Sequence, residues 1–248
     1  MELILLGSGT CVPSLTRGGP GLLIKIDHEL LLFDIGLGTL HKLLSLNITQ
    51  RDIDTLYLSH FHPDHVAELI PFLFACNWGG IPREKPLDII GGRGVKSFIE
   101  KLNMANNYNL DPRDYKLTIL EAPVFCEKNY SITTKPMKHK EESVGYRIED
   151  KRGKSIVYSG DTDYCDEIIE LAHRCDILIL ESSFPDELKT DGHLTPSLAS
   201  KIAMHAQCKT LILTHIYPEC ESTDLKQQAH RYFQSEIIVG KDLLQITI

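Results

Sequence analysis

Four side chains able to bind a metal ion fall within six positions of the chain: His60, His62, Asp64 and His65. The apolar residues before them, 56–58, read as a buried strand, and 66–74 read as a helix, so the cluster occupies a strand-to-helix turn. Pro63 suits that turn, because the first helical residue needs no amide hydrogen and takes the φ that proline fixes. Side chains two apart in extended chain point the same way, which lets His60 and His62 chelate one ion. The turn then re-aims Asp64 and His65 toward a second position close by. Three imidazoles and a carboxylate suit zinc, with manganese or iron as alternatives. The plain alternative is a histidine-rich surface turn, and four donors this close together weigh against it.

Such a turn needs a framework that carries further donors to it. Residues 3–6 form a short apolar strand ended by Gly7-Ser8-Gly9-Thr10, which is either a tight turn or a set of amides facing an anion. Residues 22–26 and 30–33 flank Asp27-His28-Glu29 and predict a hairpin. Asp34, directly after that run, is either a helix cap or a partner of a metal-bound histidine. Residues 37–46 then read as a helix, 78–86 as a loop, 87–90 as a strand and 94–104 as a helix, with short β-like runs over 115–134. In the second half, His139 precedes a strand start at Val144. Strands over 155–158, 176–180 and 210–213 run into Asp161, Glu181 and His215. Catalytic groups collect at strand carboxyl ends in sheet enzymes. Each residue alone has a bland reading: Asp161 as a helix cap, Glu181 as a loop carboxylate, His215 as a core histidine. Three such strand ends beside a four-donor turn point to one site. Strands alternating with helices in both halves predict an α/β layered architecture.

At 248 residues the chain has room for one large domain or two small ones. Its formal charge of −8 argues against a generally nucleic-acid-binding surface. The seven cysteines, Cys11, Cys76, Cys126, Cys165, Cys175, Cys208 and Cys220, are odd in number and lack CxxC spacing, so no disulfide framework is expected. No leader pattern and no membrane-spanning apolar run are visible, and the expected location is the cytoplasm.

SHFHPDH, a downstream His139, Asp161 in YSGDT and His215 in LTH together resemble the metallo-β-lactamase superfamily. GSGT with a following Pro13, His139 before GYRI, the ILILESSF strand end and GHLTP are most similar to its ribonuclease Z-like phosphodiesterase branch. The resemblance implies a four-layer αββα sandwich, with residues 1–248 as a single domain. It implies two divalent ions, one held by His60, His62 and His139, the other by Asp64, His65 and His215, with Asp161 bridging. It also implies a homodimer. The chain departs from the family in one respect. Enzymes of this branch that mature tRNA commonly insert a long arm after the GYR strand, and here only about a dozen residues separate Arg147 from YSGDT. Small phosphodiesters therefore stand beside RNA 3′ ends as expected substrates.

Two such ions can share a hydroxide that attacks phosphorus. Asp64 would orient it, and His193, held by Glu181, would protonate the leaving oxygen; the alternative for His193 is a cap on the helix starting near Thr195. His28, His41, His173, His205 and His230 lack such a setting. Two other functions stay open: a lactone, ester or thioester hydrolase on the same scaffold, and a non-enzymatic binding protein. A complete ligand set weighs against the second, and a paired His193 and Glu181 against the first.

Overall fold

Alternating apolar residues build fourteen strands among the described residues: β1 (Glu2–Gly7), β2 (Gly21–Ile26), β3 (Glu29–Phe33), β4 (Thr55–Leu58), β5 (Leu87–Gly91), β6 (Leu117–Glu121), β7 (Cys126–Glu127), β8 (Tyr130–Pro136), β9 (Val144–Asp150), β10 (Ser155–Tyr158), β11 (Ile177–Glu181), β12 (Thr210–Thr214), β13 (Glu236–Val239) and β14 (Leu244–Thr247). The helices are α1 (Thr39–Ser45), α2 (Pro63–Val66), α3 (Leu69–Trp78), α4 (Val95–Ala105), α5 (Asp166–Leu171), α6 (Pro196–Ala206) and α7 (Leu225–Ala229). This computed structural model describes the whole chain except Gly79, Val124, Phe125 and Lys128, and the side chains of Cys126 and Glu127. Parts of the predicted loop 78–86 and of the β-like runs over 115–134, and the Cys126 thiol, thus lie outside the described residues.

The strands form two seven-stranded sheets, ordered β14-β1-β2-β3-β4-β5-β6 and β13-β12-β11-β10-β9-β8-β7. The period-2 alternation of each strand decides which layer its side chains enter. β1 sends Leu3 into the core between the sheets and Ile4 toward the helices, and β3 does the same with Leu31 and Leu32. The inter-sheet core joins both halves of the chain, with Phe33 stacked on Tyr57 at 4.6 Å and Tyr146 edge-on to Phe33 at 5.5 Å. A second core packs Leu43, Phe72 and Ile99 on the first sheet, and a third packs Ile168, Ile202 and Ala229 on the other. Three cores between four layers make an αββα sandwich.

The predicted helix over 66–74 is two helices, α2 and α3, broken at Ala67 and Glu68. Glu68 explains the break. Its amide donates to the Ile35 carbonyl at 2.9 Å, and its carboxylate accepts from the amides of Gly38 (2.8 Å) and Leu40 (2.7 Å). These bonds tie the turn to the start of α1, which begins only at Thr39 because Gly38 takes a left-handed conformation. The parallel run β3-β4-β5-β6 and the parallel run β10-β11-β12-β13 bring strand carboxyl ends from both sheets to one edge.

Candidate metal centre

β4 delivers Ser59 and His60 to that edge, and the turn into α2 places His62, Asp64 and His65 around them. β10 delivers Asp161 through Gly160, whose φ of +60° and closeness to Ser59 demand glycine: a Cβ there would stand 2.3 Å from the Ser59 Cβ. β12 delivers His215, itself left-handed at φ 54°. Asp34, at the end of β3, is left-handed as well, at φ 56°. Non-glycine residues hold such angles only where their surroundings fix them.

The donor atoms of His60, His62, His139 and Asp161 lie within 4.8 Å of one another, as do those of Asp64, His65 and His215. Asp161 faces both groups. Its Oδ2 lies 3.7 Å from His60 Nε2 and 4.0 Å from His139 Nε2, and its Oδ1 lies 3.2 Å from His65 Nε2 and 3.4 Å from His215 Nε2. Asp161, His193 and His215 form a third group within the same limit, so His193 also borders the centre.

The positions of the protons define what this arrangement lacks. His65 Nδ1 donates to Asp34 Oδ2 at 2.7 Å, and His139 Nδ1 donates to the Gly192 carbonyl at 2.9 Å. Ser59 gives its hydroxyl hydrogen to Asp34 at 2.7 Å and so accepts from His60 Nδ1 at 3.1 Å. Ser183 gives its hydrogen to Glu181 Oε2 at 2.5 Å and so accepts from His215 Nδ1 at 2.9 Å. Each imidazole has its proton on the outer nitrogen, which leaves four Nε2 lone pairs directed at a carboxylate. His60 Nε2, His65 Nε2 and Asp161 Oδ1 are buried and have no hydrogen-bond partner. Acceptors converging on an acceptor call for a cation, and imidazole nitrogens with carboxylate oxygens are a donor set for a divalent metal.

The electrostatics agree. Burial alone would raise the Asp161 carboxyl, yet His215 and His65 hold it well below the usual range, so it is an anion. Burial opposes charge on His65, but Asp161 and Asp34 on its two sides lift its pKa well above the ordinary value. That position favours positive charge, which a bound metal ion would supply in place of the proton. At His60, burial and the neighbouring His65 both push the pKa far down, which suits a neutral ligand.

His193 and Glu181 form the predicted pair, with His193 Nδ1 3.1 Å from both carboxylate oxygens. Burial raises the Glu181 carboxyl. Burial also opposes charge on His193, but Glu181 outweighs it and holds the imidazole above its ordinary pKa. His193 caps no helix, since Thr195 accepts from the Leu198 amide and fills that role for α6. Asp161 is no cap either: Cys165 precedes α5.

Asp34 resolves as the partner of His65, one of the clustered histidines, rather than as a helix cap. The Gly7-Ser8-Gly9-Thr10 stretch is built as a tight turn whose Ser8 and Gly9 amides already have partners. Ser8 N donates to Asp242 at 2.9 Å and Gly9 N to Gly18 at 2.8 Å. Sequence reasoning missed Ser59, Ser183 and Tyr158, whose hydroxyl donates to Asp34 at 2.7 Å. The serines stood beside named residues, at ends of strands; Tyr158 reads as an ordinary core residue and carries no signal.

A family model described as the beta-lactamase superfamily domain matches residues 31–216. The ribonuclease Z of Thermoplasma acidophilum is 30% identical, covering 100% of this chain and 96% of its own length. That of Bacillus subtilis is 28% identical, covering 100% and 99%, in an alignment of 310 positions against the 248 residues of this chain. The relative thus carries stretches with no counterpart here. Among solved structures, the metallo-beta-lactamase fold protein YhfI from Bacillus subtilis has a TM-score of 0.86 at 24% identity, covering 99% of this chain and 98% of that one. Human tRNase Z, short form, has a TM-score of 0.80 at 23% identity, covering 100% and 99%.

Asp34 touches no donor position of the centre directly, and acts by fixing the His65 ring. Asp34→Asn is expected to lower metal affinity by about 10–100-fold, measured by competition with a chromophoric chelator, while circular dichroism stays unchanged. Unaltered affinity would remove Asp34 from the site.

Proposed function

The chain belongs to the metallo-β-lactamase superfamily, in its ribonuclease Z-like branch, and on that premise we propose that it is a two-metal phosphodiesterase acting on small phosphodiesters or RNA 3′ ends. That it is a metal-dependent hydrolase follows from the family. The observation that carries the finer reading is the convergence of four histidine Nε2 atoms on the buried Asp161. It supports His60, His62 and His139 as ligands of one ion, Asp64, His65 and His215 as ligands of the other, and Asp161 as the bridge. The histidine-rich donor set favours zinc. Bound there, divalent ions acidify water and neutralise charge on phosphate oxygens.

The chain's own residues supply the rest. Asp64 Oδ2, 3.3 Å from His215 Nε2 and 3.9 Å from His65 Nε2, is placed to bind metal and to orient the attacking water. His193 holds a proton through its contact with Glu181 and delivers it to the leaving oxygen. Ser183 fixes Glu181 and His215 together. An alkoxide leaving group needs that proton, so the pair favours phosphodiesters over lactones or thioesters. The inter-sheet core shared by both halves supports one domain over 1–248. The proposal extends to a homodimer in the cytoplasm; no helix among the described residues is long and apolar enough to cross a membrane.

Substrate size follows from the compact connections. β9 is joined to β10 by four residues, 151–154, and only Ser159 to Cys165 separate β10 from α5. No arm to grip tRNA emerges there, and the formal charge of −8 opposes a polyanion, whose binding leans on Lys and Arg contacts to phosphates. Bis(p-nitrophenyl) phosphate, a cyclic nucleotide, a precursor tRNA and a lactone would be compared for kcat/KM. The small phosphodiesters should lead. Efficient cleavage of the precursor at its 3′ end would overturn the size argument, and preference for the lactone would overturn the phosphodiesterase reading.

The acid role is tested by leaving-group selectivity. His193→Ala should keep its metal and lose about 10²–10⁴-fold on ribonucleotide substrates, but far less on p-nitrophenyl esters, whose leaving anion is already stable. Glu181→Gln should show a weaker form of the same selectivity. Equal losses on both substrate types would make His193 a positioning residue, and loss of metal would make it a ligand.

A further inference from the structure

Beside the metal centre lies a groove of about 520 Å³ that meets it at Pro63 and Asp64. Its far wall is the loop after β1, including Val12, Pro13 and Leu15, and its near wall includes Leu37 and Ala67. Leu15 and Leu37 turn their side chains outward here, at 106% and 63% exposure. Exposed leucines on the lining of a cleft beside a polar centre leave apolar surface in water that a ligand could cover.

The charges around the groove decide what kind of ligand that is. Two cations reach it, and both already have partners. Arg17 binds Glu221 through Nε at 2.8 Å, and its Nη1 donates to Ser8 Oγ at 2.9 Å and to the Gly240 carbonyl at 2.7 Å. Lys42 is ion-paired with Asp242, which also accepts from the amides of Ser8 and Gly18. A track for successive phosphates would present free Lys or Arg donors. This groove presents leucine, proline, valine and small hydroxyl side chains, with two anions, Asp64 and Asp242, at its margins. The Gly7-Ser8-Gly9-Thr10 turn offers no anion cradle as a substitute, because its Ser8 and Gly9 amides are already bonded. The groove reaches the centre at Asp64, whereas His193 contacts it at Asp161, with Nδ1 3.9 Å from Oδ2.

We propose that this groove seats an uncharged ring, a nucleobase or aryl group, esterified to the substrate's phosphate, and that it excludes a second phosphate. The assignment rests on the phosphodiesterase reading and deepens it by naming the substrate's other half. Leu15 and Leu37 are the residues that determine this specificity, and both are exposed enough for replacement without burdening the fold.

The test measures binding without turnover, by titration calorimetry of the full-length, metal-loaded protein. Phenyl phosphate should bind at least about tenfold tighter than methyl phosphate, equivalent to about 1.4 kcal/mol. Uridine 5′-monophosphate against ribose 5-phosphate separates the two ring sources: a similar preference assigns a nucleobase, and none assigns a simple aryl group. In both Leu37→Lys and Leu37→Glu the phenyl-to-methyl ratio should fall to within about twofold of one, because either charge spoils an apolar wall. A ratio near one in the unaltered protein would overturn the proposal, and so would a ratio that survives both substitutions. A protein that binds the ring but cleaves no phosphodiester would refute the proposed function alone, while an active enzyme with no ring preference would refute the groove alone.

Discussion

Carboxylates buried away from water must be paired with positive charge or with enough hydrogen-bond donors to replace their hydration. Two such groups, Asp34 and Asp161, set the rest of this structure in place. Asp34 is fully satisfied. It accepts from the Ser59 amide and hydroxyl, from His65 and from Tyr158. Ser59 follows β4 of one sheet and Tyr158 ends β10 of the other, so a single carboxylate joins the two halves directly behind the histidines. Asp161 is the opposite case: one of its oxygens is buried without a hydrogen-bond partner, beside His60 Nε2 and His65 Nε2, which are equally buried and unpartnered. The first carboxylate anchors His65 directly and His60 through Ser59 from the outside, and the second faces the histidines from the inside.

The strained positions follow from the same requirement. Asp34 and His215 hold left-handed backbone angles at the ends of β3 and β12, and Gly160 lets β10 close against Ser59. Each turns the chain sharply at a strand end, so that side chains from different strands meet rather than diverge. Glu181 and Ser183 sit at the end of the neighbouring strand, β11, without such a turn. Ser183 passes its hydroxyl hydrogen to Glu181 and accepts from His215, which couples the metal site to the His193 pair. A change at Ser183 would therefore be felt on both sides of the centre.

Much of the fold and the donor cluster was legible because both leave strong periodic or local signals. Apolar runs ending in Asp, Glu or His marked β10, β11 and β12, and the packed HxHxDH turn marked its own location. The resemblance then linked those ends into one site, and the αββα layering follows it. What stayed hidden depends on long-range partners. The break between α2 and α3 comes from Glu68 bonding to backbone across the turn, where apolar spacing alone reads as continuous helix. Asp242 binds Ser8, Gly18 and Lys42 from more than two hundred residues away in the case of Ser8 and Gly18, and nothing near it in the chain hints at this. Tyr158 looks like any core tyrosine until its hydroxyl meets Asp34.

The central claim is that two ions occupy this edge, with Asp161 between them. The most direct measurement is a crystal structure of the metal-loaded protein with anomalous scattering collected at the absorption edge of the bound element. Two anomalous peaks roughly 3.5–4 Å apart are expected. One should lie among His60, His62 and His139, the other among Asp64, His65 and His215, each touched by an Asp161 oxygen. A single peak, or a peak coordinated by His193 in place of His215, would contradict the account.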